Sequence, residues 1–242
     1  MSAGIQLDQR ARLTNVLISA NTTAEYGVQV AADTVIDGLR ITATPAWTIA
    51  DVYLEGDRVL MSEVHVSSPE ELGLLVGGFR SQVRNMFIGG GSTSNHVIVT
   101  GNDHQLELTS AQGGDGTSTD SAAIQIDGDY NRLVAIVYDP NTNGVVVTGN
   151  RNRVEASITN LTPSPNDTLD LVRLMDTADR NSIKECVMET DATGNRCRSA
   201  VYLDTNTTDN WVDGNDFDEA ANYATGVVDD NGTGNVIGTN YS

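Results

Sequence analysis

Aromatic side chains are scarce in this chain: Phe, Trp and Tyr together make up 5% of its residues. Lysine is almost missing, with Lys184 alone beside thirteen arginines, and there are only 5 prolines and 2 cysteines. Each shortage excludes something. With so few cations against 33 acids, the net charge is −19. That rules out the phosphate neutralisation on which nucleic-acid binding depends, and it disfavours anionic membrane surfaces. No apolar run approaches the ~20 residues of a membrane-spanning helix, so no membrane insertion is expected. The opening residues Met1 to Asp8 lack the basic-then-apolar pattern of a secretory signal. Two cysteines do not make a disulfide framework. Cys186 occupies an apolar strand position and Cys197 follows in a polar turn, leaving open both a disulfide across that loop and two free thiols.

What is abundant is polar and small or β-branched: 23 Gly, 21 Asn and 26 Thr. That mixture suits short strands broken by turns. Four ten-residue segments align without gaps, at 74–83, 97–106, 124–133 and 145–154. Their shared pattern is apolar-x-apolar-x-Gly, four turn residues, then apolar again. Longer or degenerate copies bring the starts to 5, 28, 52, 74, 97, 124, 145, 172, 201 and 227, a step of 21 to 29 residues. Alternating apolar residues put two side chains on one strand face, and a second strand follows each turn. A single coil cannot bury that face, whereas coils stacked at ~4.8 Å share a continuous core. The spacing predicts an all-β, parallel solenoid of about ten coils filling 1–242 as one domain. Ile126, Val147, Leu174 and Leu203, each two residues after a start, should form one buried column.

Asn131, Asn152, Asn181, Asn210 and Asn235 each stand two residues before an inward apolar residue, which predicts a ladder of stacked amides. His104 falls on the same column. Here the sequence resembles the right-handed parallel β-helix proteins, the class of pectate lyases and viral tailspikes. The composition, rich in Asp and in Arg over Lys, is similar to that of proteins from salt-loving archaea or from GC-rich bacteria and their viruses. The resemblance implies a right-handed, single-stranded β-helix, and it bears on architecture more than on activity.

The long insertions, 42–48, 89–94, 110–122, 160–168, 189–199 and 218–225, share one phase of the repeat and so one edge of the rod. Loops held on a rigid scaffold are natural binding elements. Trp47 and Trp211 are the candidates for stacking on a sugar ring. Asp213, Asp216 and Asp218 offer oxygen ligands for a calcium ion, although the same residues suit a solvated acidic turn, and no other cofactor is indicated. No catalytic set stands out. Polygalacturonases carry Gly-His-Gly and Arg-x-Lys motifs that are missing here, and a lyase-like base has only outward arginines such as Arg132 or Arg153 to draw on. The expectation is therefore a non-enzymatic structural protein of a virion or cell-surface appendage. Such a tail-fibre, spike or turret-like module would be homotrimeric, contact other virion proteins and engage a host surface glycan, located on the virion or extracellular surface. A secreted or virion-borne polysaccharide lyase or hydrolase, and a cell-surface adhesin, are the alternatives.

Overall fold

The structure, a computed structural model, describes residues 3–19, 24–42, 47–67, 69, 72–90, 95–111, 121–140, 142–160, 168–175, 177–190, 196–218 and 222–241. The chain is a parallel β-solenoid. One sheet holds ten strands and the other twelve, and consecutive coils always pair in parallel. Among the described residues there is no α-helix.

The register matches the repeat residue for residue. Ile5 pairs with Val28, Val28 with Val52, Val52 with Leu74 and Leu74 with Val97. The series continues through Ile124, Val145, Val172 and Val201. It breaks once: Val201 pairs with Val228, not Val227. The last coil thereby places Asp230 after Leu203 in a column that is otherwise apolar. Asp230 is exposed and accepts hydrogen bonds from Gly232 N (3.0 Å) and Asn235 Nδ2 (2.8 Å), so the carboxylate stays solvated. Ile126, Val147, Leu174 and Leu203 are all fully buried, as a shared inward column requires.

The turn between the two sheets is built the same way in each coil. The residue before the ladder position has positive φ in every coil, from Arg10, Asp33, Arg58, Arg80, Asp103 and Tyr130 to Arg151, Arg180, Asp209 and Gly234. A left-handed residue reverses the chain sharply; only glycine adopts it without strain. A glycine column lies beside it. A β-carbon on Gly101, Gly128 or Gly149 would come within 2.2, 1.8 and 2.0 Å of the carbonyl oxygen of the preceding coil's glycine, closer than any side chain tolerates.

The ladder residues continue from this turn. Asn131 N donates to Asn152 Oδ1 (2.8 Å), Asn152 N to Asn181 Oδ1 (2.8 Å), Asn181 N to Asn210 Oδ1 (2.8 Å) and Asn210 N to Asn235 Oδ1 (2.9 Å). The link is backbone N–H to side chain; amide-to-amide bonds occur only from Asn181 to Asn210 and from Asn210 to Asn235, both 3.1 Å. His104 and Ser81 extend the column downward. A parallel outer ladder runs the opposite way: Asp129 N donates back to Asn102 Oδ1, Asn150 N to Asp129 Oδ1 and Asp179 N to Asn150 Oδ1. A third begins above Cys186, whose N–H donates to Asn215 Oδ1, with Asn240 next in line. Cys186 and Cys197 are both buried and free; the disulfide is not formed.

The second-sheet strands change shape along the rod. In the first four coils an extra left-handed residue (Asn15, Gly38, Glu63, Asn85) separates the inward pairs Leu13/Val16, Ile36/Leu39, Met61/Val64 and Val83/Met86. Coils five to seven drop that residue and run straight through Leu106/Leu108, Leu133/Ala135 and Val154/Ala156. The register shifts between Leu106 and Leu108 where the two shapes meet. Glu185 and Gly214 restore the bend farther up.

Candidate functional site

The insertions at 42–48, 89–94, 110–122, 160–168, 189–199 and 218–225 fall largely outside the described residues. Each runs from the end of a second-sheet strand to the start of the next first-sheet strand. The concave surface that is described lies elsewhere, on the outward face of the second sheet. Two shallow cavities of about 230 Å³ each meet there. One is lined by Arg84, Gln105, Glu107 and Arg132 at the register shift; the other by Arg12, Asp37, Ser62, Gln82 and Arg84. Arg84 is common to both. The first cavity spans the register shift between Leu106 and Leu108, and the second lies on the bent strands of the first four coils.

Outward positions on parallel strands form columns one coil apart, about 4.8 Å. One column reads Arg12, Val35, Leu60, Gln82, Gln105, Arg132, Arg153, Ser182 and Trp211. Arg84 and Lys184 stand in the column beside it. On a chain of net charge −19, this face gathers Arg12, Arg40, Arg84, Arg132, Arg153 and Lys184. They are not equally available. Arg132 and Arg153 both hold Glu155, at 3.1 and 2.5 Å, and Arg153 also meets Glu185 at 3.4 Å. Arg132 is the main reason that the Glu155 carboxyl lies below the usual range. Arg12, Arg40 and Arg84 form no ion pair among the described residues. Arg84 donates only to Gln82 Oε1, at 3.2 Å.

The two tryptophans do not make one site. Trp47 opens a first-sheet strand and pairs with Ala24 near one end of the rod, and its side chain lies outside the described residues. Trp211 is on the second sheet toward the other end, 47% exposed, with Lys184 Nζ 4.4 Å from its ring centroid. Its ring extends the cationic column upward. Asp213 is beside Lys184 across the ladder, Asp216 is outward, and Asp218 Oδ2 accepts Thr190 N at 2.8 Å. Among the described residues no group of three or more His, Cys, Asp or Glu is arranged to hold a metal.

The three histidines differ. His104 is a ladder member, its Nδ1 accepting Ser81 N at 3.0 Å. His96 is fully buried, with Nδ1 2.8 Å from Ser110 Oγ and Nε2 3.0 Å from the Gly90 carbonyl, and burial pushes its pKa down to about 4. His65 is half-buried on the outward face, packed against a tilted Phe87 ring with centroids 4.7 Å apart, and its Nε2 is 2.9 Å from Ser67 Oγ. Neither Arg84 nor the His65–Ser67 pair stands out in the sequence, because neither belongs to a contiguous motif or an aromatic cluster. The available signal was weaker: polar residues two apart, on outward phases of neighbouring repeats.

A family-model search returns no match, and no curated protein matches in sequence. Among solved structures the chain is similar to one described as "a new PL6 alginate lyase complex with trisaccharide", with TM-score 0.53 and 12% identity. The likeness covers 89% of this chain and 55% of that one, so this chain spans about half of that enzyme's length. At that identity it is the fold that is shared: a parallel β-helix of the pectate-lyase-like kind.

Proposed function

We propose that this β-helix binds an anionic glycan along the outward face of its second sheet, as an adhesive module of a virion or cell-surface appendage. The observation that carries this reading is the trio Arg12, Arg40 and Arg84, none of them in an ion pair among the described residues, on one face of a strongly acidic chain. Arg84 is at the junction of the two cavities. A free guanidinium offers a planar fork of donors that fits carboxylates and sulfates. Coils repeat at about 4.8 Å, comparable to one pyranose unit, so a linear chain lying along the rod axis passes Arg12 on the first coil and Arg84 on the fourth. Trp211 supplies a ring for stacking at the upper end.

Titration calorimetry with acidic and neutral oligosaccharides tests the proposal. Acidic ligands should bind, more weakly as salt rises, and Arg84→Ala should weaken binding about tenfold or more, the worth of a hydrogen bond to a charged group. Equal binding of neutral and acidic ligands, or an Arg84→Ala variant that binds like wild type, overturns it. A homotrimer, as in tailspikes, would present the strip three times and gain avidity; light scattering reads the mass directly against the 25.8 kDa of one chain.

Likeness to a polysaccharide lyase supports a second reading, in which the same strip cleaves the glycan it holds. Two of its arginines are locked to Glu155, which leaves Arg84 as the free cation beside the Glu107 carboxylate. Unsaturated products after incubation with acidic polysaccharides would establish that reading in place of the adhesive one.

A further inference from the structure

Among the described residues two serine–histidine pairs lie in this solenoid, and their settings separate them. Ser110 and His96 are both fully buried, and the far nitrogen of His96 is taken by the Gly90 carbonyl. That pair closes a corner of the core. Ser67 and His65 are different: both are half-buried on the outward face, two residues apart on the strand Leu60–Ser67, with Oγ and Nε2 2.9 Å apart.

The surroundings of the outer pair suit acyl transfer. Phe87 packs against the imidazole, its ring tilted by 33° with centroids 4.7 Å apart. Arg40 occupies the position of His65 one coil below, without an ion pair among the described residues, so a cation stands in the column of the imidazole, about 4.8 Å along the rod. In the next coil Ser67 pairs with Gly89, and the Phe87 ring takes the space beside that glycine, 2.6 Å from where a β-carbon would stand. Desolvation and Arg40 both hold the His65 pKa below its usual value, keeping it an unprotonated base near neutrality. The same strand contributes Leu60, Met61 and Ser62 to the cavity that Arg84 closes, so the pair lies beside the proposed glycan strip, farther along that strand.

We propose that Ser67 and His65 form a nucleophile–base dyad that removes small acyl esters from a bound glycan, with Arg40 stabilising the oxyanion. The glycan as substrate rests on the reading above; the dyad chemistry does not. With the Nδ1–H tautomer, Ser67 Oγ–H donates to His65 Nε2. Oγ attacks the ester carbonyl carbon, the Oγ–C bond forms and the proton passes to Nε2. The tetrahedral oxyanion, facing Arg40, collapses; the bond from carbonyl carbon to sugar oxygen breaks, and His65 returns the proton to that oxygen. Water, deprotonated by His65, then cleaves the acyl-serine to release the carboxylic acid, and no redox partner is needed.

The test uses the intact protein, p-nitrophenyl acetate and a fluorophosphonate probe, neither of which requires glycan binding. Ser67 should be the probe-labelled residue in peptide mass spectrometry. Ser67→Ala should reduce hydrolysis to background and His65→Gln should lower it by about 10²-fold or more, with melting curves near wild type because both side chains are on the outer face. Arg40→Gln should lower kcat more than it raises KM. Labelling at no serine, labelling spread over other serines, or hydrolysis unchanged in folded Ser67→Ala would overturn the dyad. If Ser67 reacts while acidic oligosaccharides fail to bind, the dyad stands and the glycan reading falls.

Discussion

The carboxamide of Asn181 makes two kinds of bond at once: its oxygen accepts the backbone N–H of the coil below, and its nitrogen donates to the Gly149 carbonyl at 3.0 Å. Alanine would leave a buried N–H and a buried carbonyl unmatched, and we expect Asn181→Ala to cost about 1–3 kcal/mol in urea unfolding. Asn181→Asp keeps the acceptor but buries a charge and loses the donor, so its unfolding midpoint should be lower still. His96 gives the clearest pH dependence. Its folded pKa, about 4, lies below the ordinary 6.5. The unfolded chain therefore binds more protons between those values, and the stability is complete above pH 6.5 and is lost as pH falls toward 4. The full loss is about 3 kcal/mol, and His104, shifted the same way by burial, adds to it. Melting temperatures measured from pH 7 to pH 4 should fall more steeply for the wild type than for a folded His96→Gln variant.

At the scale of the strand, the stacked columns leave no room for a misplaced charge. Val147 pairs with both Ile126 and Leu174 and is fully buried. Val147→Asp or Leu174→Asp should cost several kcal/mol, read as a large drop in the chemical unfolding midpoint or loss of soluble protein. This level was the most legible in the sequence. Alternation of apolar residues, a fixed glycine and an asparagine two places before an apolar residue are local signals, and every strand start but the last followed from them. The repeat pattern points to Val227 where the structure has Val228, because the final coil replaces its second inward residue with Asp230, erasing the alternation that sets the register. The outer ladder through Asn102, Asp129, Asn150 and Asp179 was missed for another reason: turn residues of that kind are common, and only their stacking gives them a role. The binding strip was less legible still. It depends on which arginines find carboxylates across coils and on where one residue drops out of a strand, and both are relations between repeats.

For the molecule as a whole, charge is the governing quantity. A net −19 over a narrow rod repels itself, and salt screens that repulsion over about 10 Å at 0.1 M and about 3 Å at 1 M. The melting temperature should climb between those concentrations. A flat profile would count against adaptation to a saline setting, one of the origins its composition resembles. The same salt should weaken glycan binding at Arg84, so stability and affinity are expected to move in opposite directions along one titration.

The matched glycines have a consequence for how such a chain changes length. Gly128 abuts the Gly101 carbonyl, and Gly149 abuts that of Gly128; His104 N donates to Asn131, and Asn131 N to Asn152. Excise residues 124–144, and Val145 arrives where Ile124 had been, Gly149 against Gly101 and Asn152 above His104, each contact replaced by one of the same chemistry. The coil is thus an interchangeable part. Genomes can lengthen or shorten the rod by whole units through slippage between repeats, moving whatever its far end carries nearer to or farther from a surface, without inventing a new fold.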